Sequence, residues 1–310
     1  MDSEVWARRQ LLELARASLA EQRRARRWSL FFRLLVLGYV VVLTFLIIAQ
    51  QSRWPLAEER HVALLRVEGP IAGNREASAE TLIRGLRAAF EDERTSAVIL
   101  RIDSPGGSPV QAGQVYDEIR RLRRSHSGVP VYAVIEDMGA SGAYYIAVAA
   151  DRIYADKASI VGSIGVRADG FGFVGLMDKL GIERRSHTAG DNKAMLDPFA
   201  PEKPEQVRHL QGLLNEVHQQ FIDAVRQGRG ERLAETEHPE LFSGLVWSGQ
   251  QAQQLGLVDG LASVRQVAEE VVKVERIVDF TPRRRVLERL LDGLGVRLGT
   301  LFDGAFNGLR

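Results

Sequence analysis

The sequence predicts an α/β protein in which a mostly parallel sheet is covered by helices and is preceded by one transmembrane helix. Strand-like apolar runs alternate with amphipathic helical segments from residue 62 onward, and glycine-rich turns follow two of these runs. An apolar stretch near the N-terminus is long enough to cross a bilayer. The chain has 310 residues and 45% hydrophobic content, which is enough for a substantial core.

The N-terminal region predicts a membrane anchor. Residues 1–27 carry seven arginines and four acidic residues, with the positive excess next to the apolar run. Residues 28–50 contain that run, and its one charged residue, Arg33, can extend toward the basic side. The arginines predict a cytoplasmic tail at 1–27, so the chain beyond 50 is expected outside the cytoplasm. An uncleaved signal anchor is favoured over a cleaved signal peptide, because Ile48-Ala49-Gln50 lacks an Ala-x-Ala site.

After a polar linker at 51–60, strands and helices are expected to alternate. The predicted strands cover 62–67, 97–102 and 130–135, and the predicted helices between them cover 78–90 and 109–122. Further on, the pattern predicts a short strand over 180–187 and a long helix over 205–226. An amphipathic tail is expected over 276–310.

Two glycine turns are candidates for chemistry. Ser141 lies in Gly139-Ala-Ser-Gly142, after the third predicted strand, where a strand-to-helix turn would expose its hydroxyl. Judged alone, this pattern is more typical of a serine that caps a helix. The run Asp103-Ser-Pro-Gly-Gly107 follows the preceding strand, and its backbone N–H groups suit an oxyanion hole. Because the carboxyl ends of parallel strands share one edge, we expect the two turns to be neighbours.

A serine nucleophile needs a base, and lysine is the informative candidate. The chain contains five lysines among 41 basic residues, so arginine is used wherever a simple positive charge suffices. Arginine cannot release its proton at working pH, whereas a buried lysine can. Lys193 lies in a loop, 188–199, that mixes glycine with apolar residues able to bury an amine. His187 is the best imidazole candidate, although no acidic partner is apparent nearby.

Four motifs in this order resemble the signal peptide peptidase A family of serine peptidases, in its short single-domain form. They are Asp103-Ser-Pro-Gly-Gly107, Met138-Gly-Ala-Ser-Gly-Ala-Tyr-Tyr-Ile-Ala147, Val161-Gly-Ser-Ile-Gly-Val166 and Thr188-Ala-Gly-Asp-Asn-Lys193. The resemblance covers residues 61–275 and implies a ClpP/crotonase-type fold.

The resemblance also implies a Ser-Lys dyad. By motif, Ser141 is the nucleophile, Lys193 the general base and Ser163 the hydroxyl that orients the lysine. Gly107, with the N–H of Ser141 or Gly142, would form the oxyanion hole. No cofactor or metal is expected.

The implied function is a membrane-anchored endopeptidase that degrades apolar peptides, such as cleaved signal peptides, at the outer face of a bacterial inner membrane. A homo-oligomer is expected, and the net charge of +1 gives no indication of a nucleic-acid partner. One alternative is an inactive scaffold or binding protein on the same fold, which would be expected to lack Ser141 or Lys193. Another is a crotonase-type acyl-CoA enzyme, which an exported domain would separate from cytosolic CoA.

Overall fold

The computed structural model describes residues 26–45 and 59–282. The chain divides into two units, 1–58 and 59–310. In the first unit, helix α1 (Arg26–Phe45) is long and apolar enough to cross a membrane, and none of its apolar window is buried in the protein. Most of the predicted cytoplasmic tail, the C-terminal end of the predicted anchor, most of the linker and the region 283–310 of the predicted tail lie outside the described residues.

The second unit is built on one sheet. Its strands are β1 (His61–Glu68), β2 (Thr95–Ser104), β3 (Val131–Ala140), β4 (Arg152–Ala155), β5 (Ile160–Gly162), β6 (Val246–Ser248), β7 (Gly260–Leu261) and β8 (Ile277–Asp279). The main path runs β6-β5-β3-β2-β1-β8, and β4 pairs with both β3 and β7. Among these pairs, β5–β6 is antiparallel and the others are parallel. The mostly parallel sheet confirms the predicted fold class.

Helices cover both faces of the sheet. They are α2 (Ala79–Glu91), α3 (Pro109–Ser125), α4 (Gly142–Ala147), α5 (Val174–Leu180), α6 (Pro204–Arg229), α7 (Gly249–Gln254) and α8 (Val264–Gln266), which continues into a π-helical turn at Val267–Val272. Two short 3-10 turns lie at Gly230–Arg232 and Pro239–Phe242. The central strands are apolar in succession because both of their faces are buried: Leu100 packs in one core and its neighbour Ile99 in the other.

Strand β3 changes its pairing partner along its length, and this change positions the end of the sheet. The first half of β3 pairs with β4, and Met138–Ala140 pair instead with β5. The Ser159 hydroxyl holds this change of partner through one shared hydrogen bond to the carbonyls of Ile135 and Glu136. As a result, Ala140 and Gly162 lie side by side, and the residue that follows each of them is a serine.

Two expectations from the sequence differ from the structure. The strand predicted over 180–187 is wrong, because helix α5 occupies the chain up to Leu180 and Gly181 ends it with a left-handed φ of 65°. Residues 182–188 have no regular secondary structure. At the other end, β8 pairs with β1, so the sheet extends beyond the predicted domain boundary at 275 into the region assigned to the tail.

Candidate active site

Ser141 lies on a strained turn between β3 and α4. Its backbone has φ 53° and ψ −125°, a conformation that is costly for a residue with a Cβ and that recurs at functional sites. Ser141 stands at the N-cap of α4, yet its side chain makes no capping hydrogen bond. The other serines at helix N-caps in the described part of the chain, Ser78, Ser108, Ser248 and Ser263, all accept a backbone N–H. The simple capping interpretation therefore does not account for Ser141.

Two free backbone N–H groups lie beside this serine. Gly107 follows β2 and approaches its neighbours so closely that an added Cβ would lie 2.2 Å from the Ile71 carbonyl oxygen. A Cβ built on Gly142 would lie 3.3 Å from the Gly107 nitrogen, which shows how near the two turns are. Within the described residues, neither the Gly107 nor the Gly142 N–H donates a hydrogen bond to the backbone or to a side chain. Such a pair of donors suits an oxyanion.

The Ser141 N–H is not available for the same purpose. It donates to the Gly162 carbonyl at 2.8 Å and so continues the pairing of β3 with β5. The expectation that the Ser141 N–H contributes to the oxyanion hole is therefore corrected: in this structure the candidate donors are the N–H groups of Gly107 and Gly142.

Ser163 follows β5 as Ser141 follows β3. It also has a left-handed backbone, with φ 52°, and its N–H donates to the Leu245 carbonyl at 2.7 Å. The next residue, Ile164, accepts a hydrogen bond at 3.1 Å from Nε2 of His218 on α6. His218 is half-buried, and its hydrogen bond fixes the backbone after Ser163.

Lys193 lies in a region of different character. We call residues 166–203 the lysine segment; none of them is buried, and Lys193 is exposed. Its own N–H bonds Gly190 within a turn, and Lys193 is not among the residues that line the cavity beside Ser141. His187 is exposed in the same segment. The structure thus brings Ser141, Ser163, Gly107 and Gly142 together, whereas Lys193 is exposed and does not line the cavity beside Ser141.

The lysine segment carries a small aromatic cluster of its own. The rings of Phe173 and Phe199 stack at 5.4 Å, and the Arg184 guanidinium lies over Phe199. Arg184 also pairs with Asp197 at 2.9 Å. The segment is therefore locally organised although it contributes no residue to the buried core clusters.

A cavity of about 310 Å³ opens beside Ser141. One wall is a single face of α3, formed by Pro109, Val110, Gly113, Gln114 and Asp117. The opposite wall comes from α4 and α6, which contribute Tyr145, Val217, Gln220 and Phe221. The Tyr145 ring stacks on Phe221 at 4.9 Å. Burial, together with the nearby Asp117 charge, raises the pKa of Tyr145.

Sequence reasoning did not single out these wall residues. The helical spacing of Pro109, Gly113 and Asp117, directly after the Gly107 turn, was the available signal. This spacing places the three residues on one face of α3, which begins directly after the Gly107 turn.

Comparison with known proteins gives a consistent family. The sequence profile of peptidase family S49 matches residues 123–277. A putative protease of Synechocystis is 31% identical over 262 residues, which cover 81% of this chain and 90% of that protein. A putative signal peptide peptidase SppA of Enterococcus faecium is 27% identical over 233 residues, covering 73% of this chain and 67% of that protein.

A further relative differs in length. The Na(+)/H(+) antiporter NhaA of Brucella abortus is 42% identical over 254 residues, which cover 79% of this chain. The same match covers 34% of that protein, so this chain spans about a third of the length of the antiporter that it resembles.

Proposed function

Because the chain belongs to peptidase family S49, we propose that it is a membrane-anchored serine endopeptidase with a dyad of Ser141 and Lys193. The observation that carries the proposal is the geometry around Ser141. Its hydroxyl is uncommitted at a strained turn, two unused N–H groups lie beside it, and a cavity opens next to it. A nucleophile, an oxyanion hole and room for a substrate side chain are the parts that acyl transfer needs.

The proposed reaction begins when the neutral Lys193 amine takes the proton from the Ser141 hydroxyl. The oxygen attacks the peptide carbonyl carbon, and the N–H groups of Gly107 and Gly142 stabilise the resulting oxyanion. The lysine then gives its proton to the leaving amine, which departs and leaves an acyl-enzyme. Water activated by the same amine hydrolyses this ester and restores Ser141. Ser163 is proposed to orient the lysine amine, as its place beside Ser141 would allow.

The exposed position of Lys193 supports a homo-oligomer. The lysine segment presents large apolar side chains to solvent, namely Phe171, Leu176, Leu180, Ile182 and Leu196. Helix α6, which follows the segment, contributes its first buried residue only at Phe221. Apolar surface of this extent is typical of protein contacts. We propose that assembly of protomers covers the segment and brings a Lys193 amine to each Ser141, where desolvation favours the neutral form that can accept a proton.

The anchor and the cavity suggest the substrate class. Helix α1 can hold the peptidase unit at a membrane, and the basic residues before it favour a cytoplasmic N-terminus. Apolar peptides, such as the remains of signal peptides, are the proposed substrates on the outer side of a bacterial inner membrane. The name of the Enterococcus faecium relative and the apolar walls of the cavity are consistent with this proposal.

The test compares variants of the full chain, purified in detergent, on a fluorogenic apolar peptide. We expect Ser141→Ala and Lys193→Ala each to lower kcat/KM by at least about 1,000-fold. Lys193→Arg should be equally inactive, because a guanidinium stays protonated. Lys203→Ala, which removes another exposed lysine of the same segment, should keep native activity. Activity retained by Ser141→Ala or Lys193→Ala would refute the dyad.

A further inference from the structure

The cavity beside Ser141 has apolar and neutral polar walls, the latter from Gln114 and Gln220, and carries one carboxylate. Val110, Val217 and Phe221 supply apolar surface, and Gly113 leaves open space where a side chain would stand. Asp117 is the one Asp, Glu, Lys, Arg or His residue that lines it. A Cβ built on Gly142 would lie 3.3 Å from the Ala112 Cβ of α3. Asp117 lies about 7.5 Å further along the helix axis than Ala112, at about 1.5 Å per residue. A short side chain that enters beside Ser141 would not reach Asp117.

Asp117 is exposed at the far end of the cavity, and its carboxylate makes no hydrogen bond or ion pair in the described part of the protein. The cation four residues later, Arg121, donates twice to Glu118 instead. Arg120, three residues later, lies over the Tyr116 ring, 5.9 Å from its centroid. Both arginines that could neutralise Asp117 on its own helix are therefore engaged with other groups, and a cation that enters the cavity would meet a carboxylate free to bind it.

We propose that this cavity selects a lysine or arginine side chain on the acyl side of the peptide bond that is cut. The inference rests on the proposed function and names its substrate preference. A long cationic side chain combines an apolar stem, which fits the walls between Val110 and Phe221, with a charged end, which can reach Asp117. The preferred substrates are then apolar peptides that contain a basic residue at the cleavage position, rather than peptides that are apolar throughout.

The experiment measures kcat/KM on fluorogenic tetrapeptide amides that differ only in the last residue: lysine, arginine, norleucine or alanine. Norleucine matches the stem of lysine without its charge. For the native chain we expect lysine and arginine to exceed norleucine by about tenfold, the effect of one charged hydrogen bond. Asp117→Asn should bring the ratio close to one, and Asp223→Asn, the same change on an exposed residue of α6 outside the cavity wall, should leave it unaltered.

A second variant tests the path through the cavity. Gly113 lies inside α3, and a Cβ there meets no atom within 4 Å, so Gly113→Leu should fold and project into the cavity. We expect it to abolish cleavage after lysine, arginine and norleucine while cleavage after alanine persists. If Gly113→Leu left all four peptides equally good, the side chain would not enter this cavity.

A binding measurement separates this inference from the proposed function. Fluorescence polarisation on the Ser141→Ala protein compares labelled product peptides that end in lysine or in norleucine. Tighter binding of the lysine peptide, lost in Ser141→Ala/Asp117→Asn, would support the cationic subsite even if no peptide were hydrolysed. Cleavage that depends on Ser141 but shows no Asp117-dependent preference would overturn the subsite and leave the peptidase proposal intact.

Discussion

The regions that hold Ser141 and Lys193 differ in how the protein constrains them. Ser141 follows a strand buried within a parallel sheet, and the backbone on its N-terminal side is tied to β5 through the Gly162 carbonyl. Lys193 lies in the lysine segment, where no residue is buried and the aromatic contacts are local. The proposed nucleophile and the candidate oxyanion donors are thus held in place by the fold, whereas the proposed base depends on what covers its segment.

This difference suggests that a single protomer is inactive. In a separate protomer Lys193 is exposed and does not line the cavity beside Ser141, so such a protomer would hold an unactivated serine. If the proposed assembly brings Lys193 to Ser141, desolvation of the amine and its approach to the serine would occur together, and activity would depend on assembly. The peptidase would be active only where protomers accumulate.

The largest effect is expected when two inactive variants are mixed, which tests whether Ser141 of one protomer works with Lys193 of another. Ser141→Ala and Lys193→Ala proteins, each inactive, are mixed, dissociated and reassembled. If each site takes its lysine from a neighbour, the mixture should recover about a quarter of native activity, because half of the sites carry Ser141 and half of those face a protomer with Lys193. The measurement is peptide hydrolysis before and after mixing. No recovery would place both residues in one protomer and require the lysine segment to fold back on its own domain.

A smaller effect compares the stability of the two regions. Leu100 on β2 is fully buried, whereas Leu180 at the end of α5 is 62% exposed. Leu100→Ala should lower the free energy of unfolding by about 2–5 kcal/mol, because it removes buried contacts and leaves a cavity. Leu180→Ala should change it by less than about 0.5 kcal/mol, as surface substitutions usually do.

Urea unfolding of the peptidase unit measures both variants, and sedimentation measures their assembly. Leu180→Ala should weaken self-association while the unfolding midpoint of the protomer stays unchanged. Equal destabilisation by the two substitutions would mean that the lysine segment packs as part of the core, and the contrast between the regions would be wrong.

The same contrast explains what the sequence could predict. Strands β1, β2 and β3 and helices α2, α3 and α6 were found from continuous apolar runs or helical periodicity, because burial imposes those patterns. Helix α5 was not predicted, because it buries no residue and so lacks a helical pattern of apolar positions. Leu180, Gly181 and Ile182 suggested a strand instead, whereas Gly181 ends the helix. The turns around Ser141 and Gly107 were predicted because both end strands of one edge. The position of Lys193 could not be predicted, because its segment buries no residue and so has no pattern of apolar residues that would relate it to the sheet.

The smallest expected effect concerns charges in the two regions at acid pH. Glu118 on α3 bonds Arg121 of the same helix and Arg87 of α2, and these hydrogen bonds lower its pKa from 4.5 to about 2. A carboxylate with a lowered pKa in the folded state stabilises the fold above its unfolded pKa, and that contribution is lost as the pH falls from about 4.5 toward 2. Glu118→Gln should therefore reduce the loss of stability between pH 5 and pH 3, measured as the shift of the urea midpoint.

The matched control is Glu183→Gln in the lysine segment. Glu183 pairs with Arg185 at 2.9 Å, but both side chains are more than two-thirds exposed, and such pairs contribute about 0–1 kcal/mol. We expect this variant to retain the native pH dependence. If Glu183→Gln altered the acid profile as much as Glu118→Gln, the lysine segment would contribute to the stability of the fold, and its exposed charges would have to be shielded within the assembled protein.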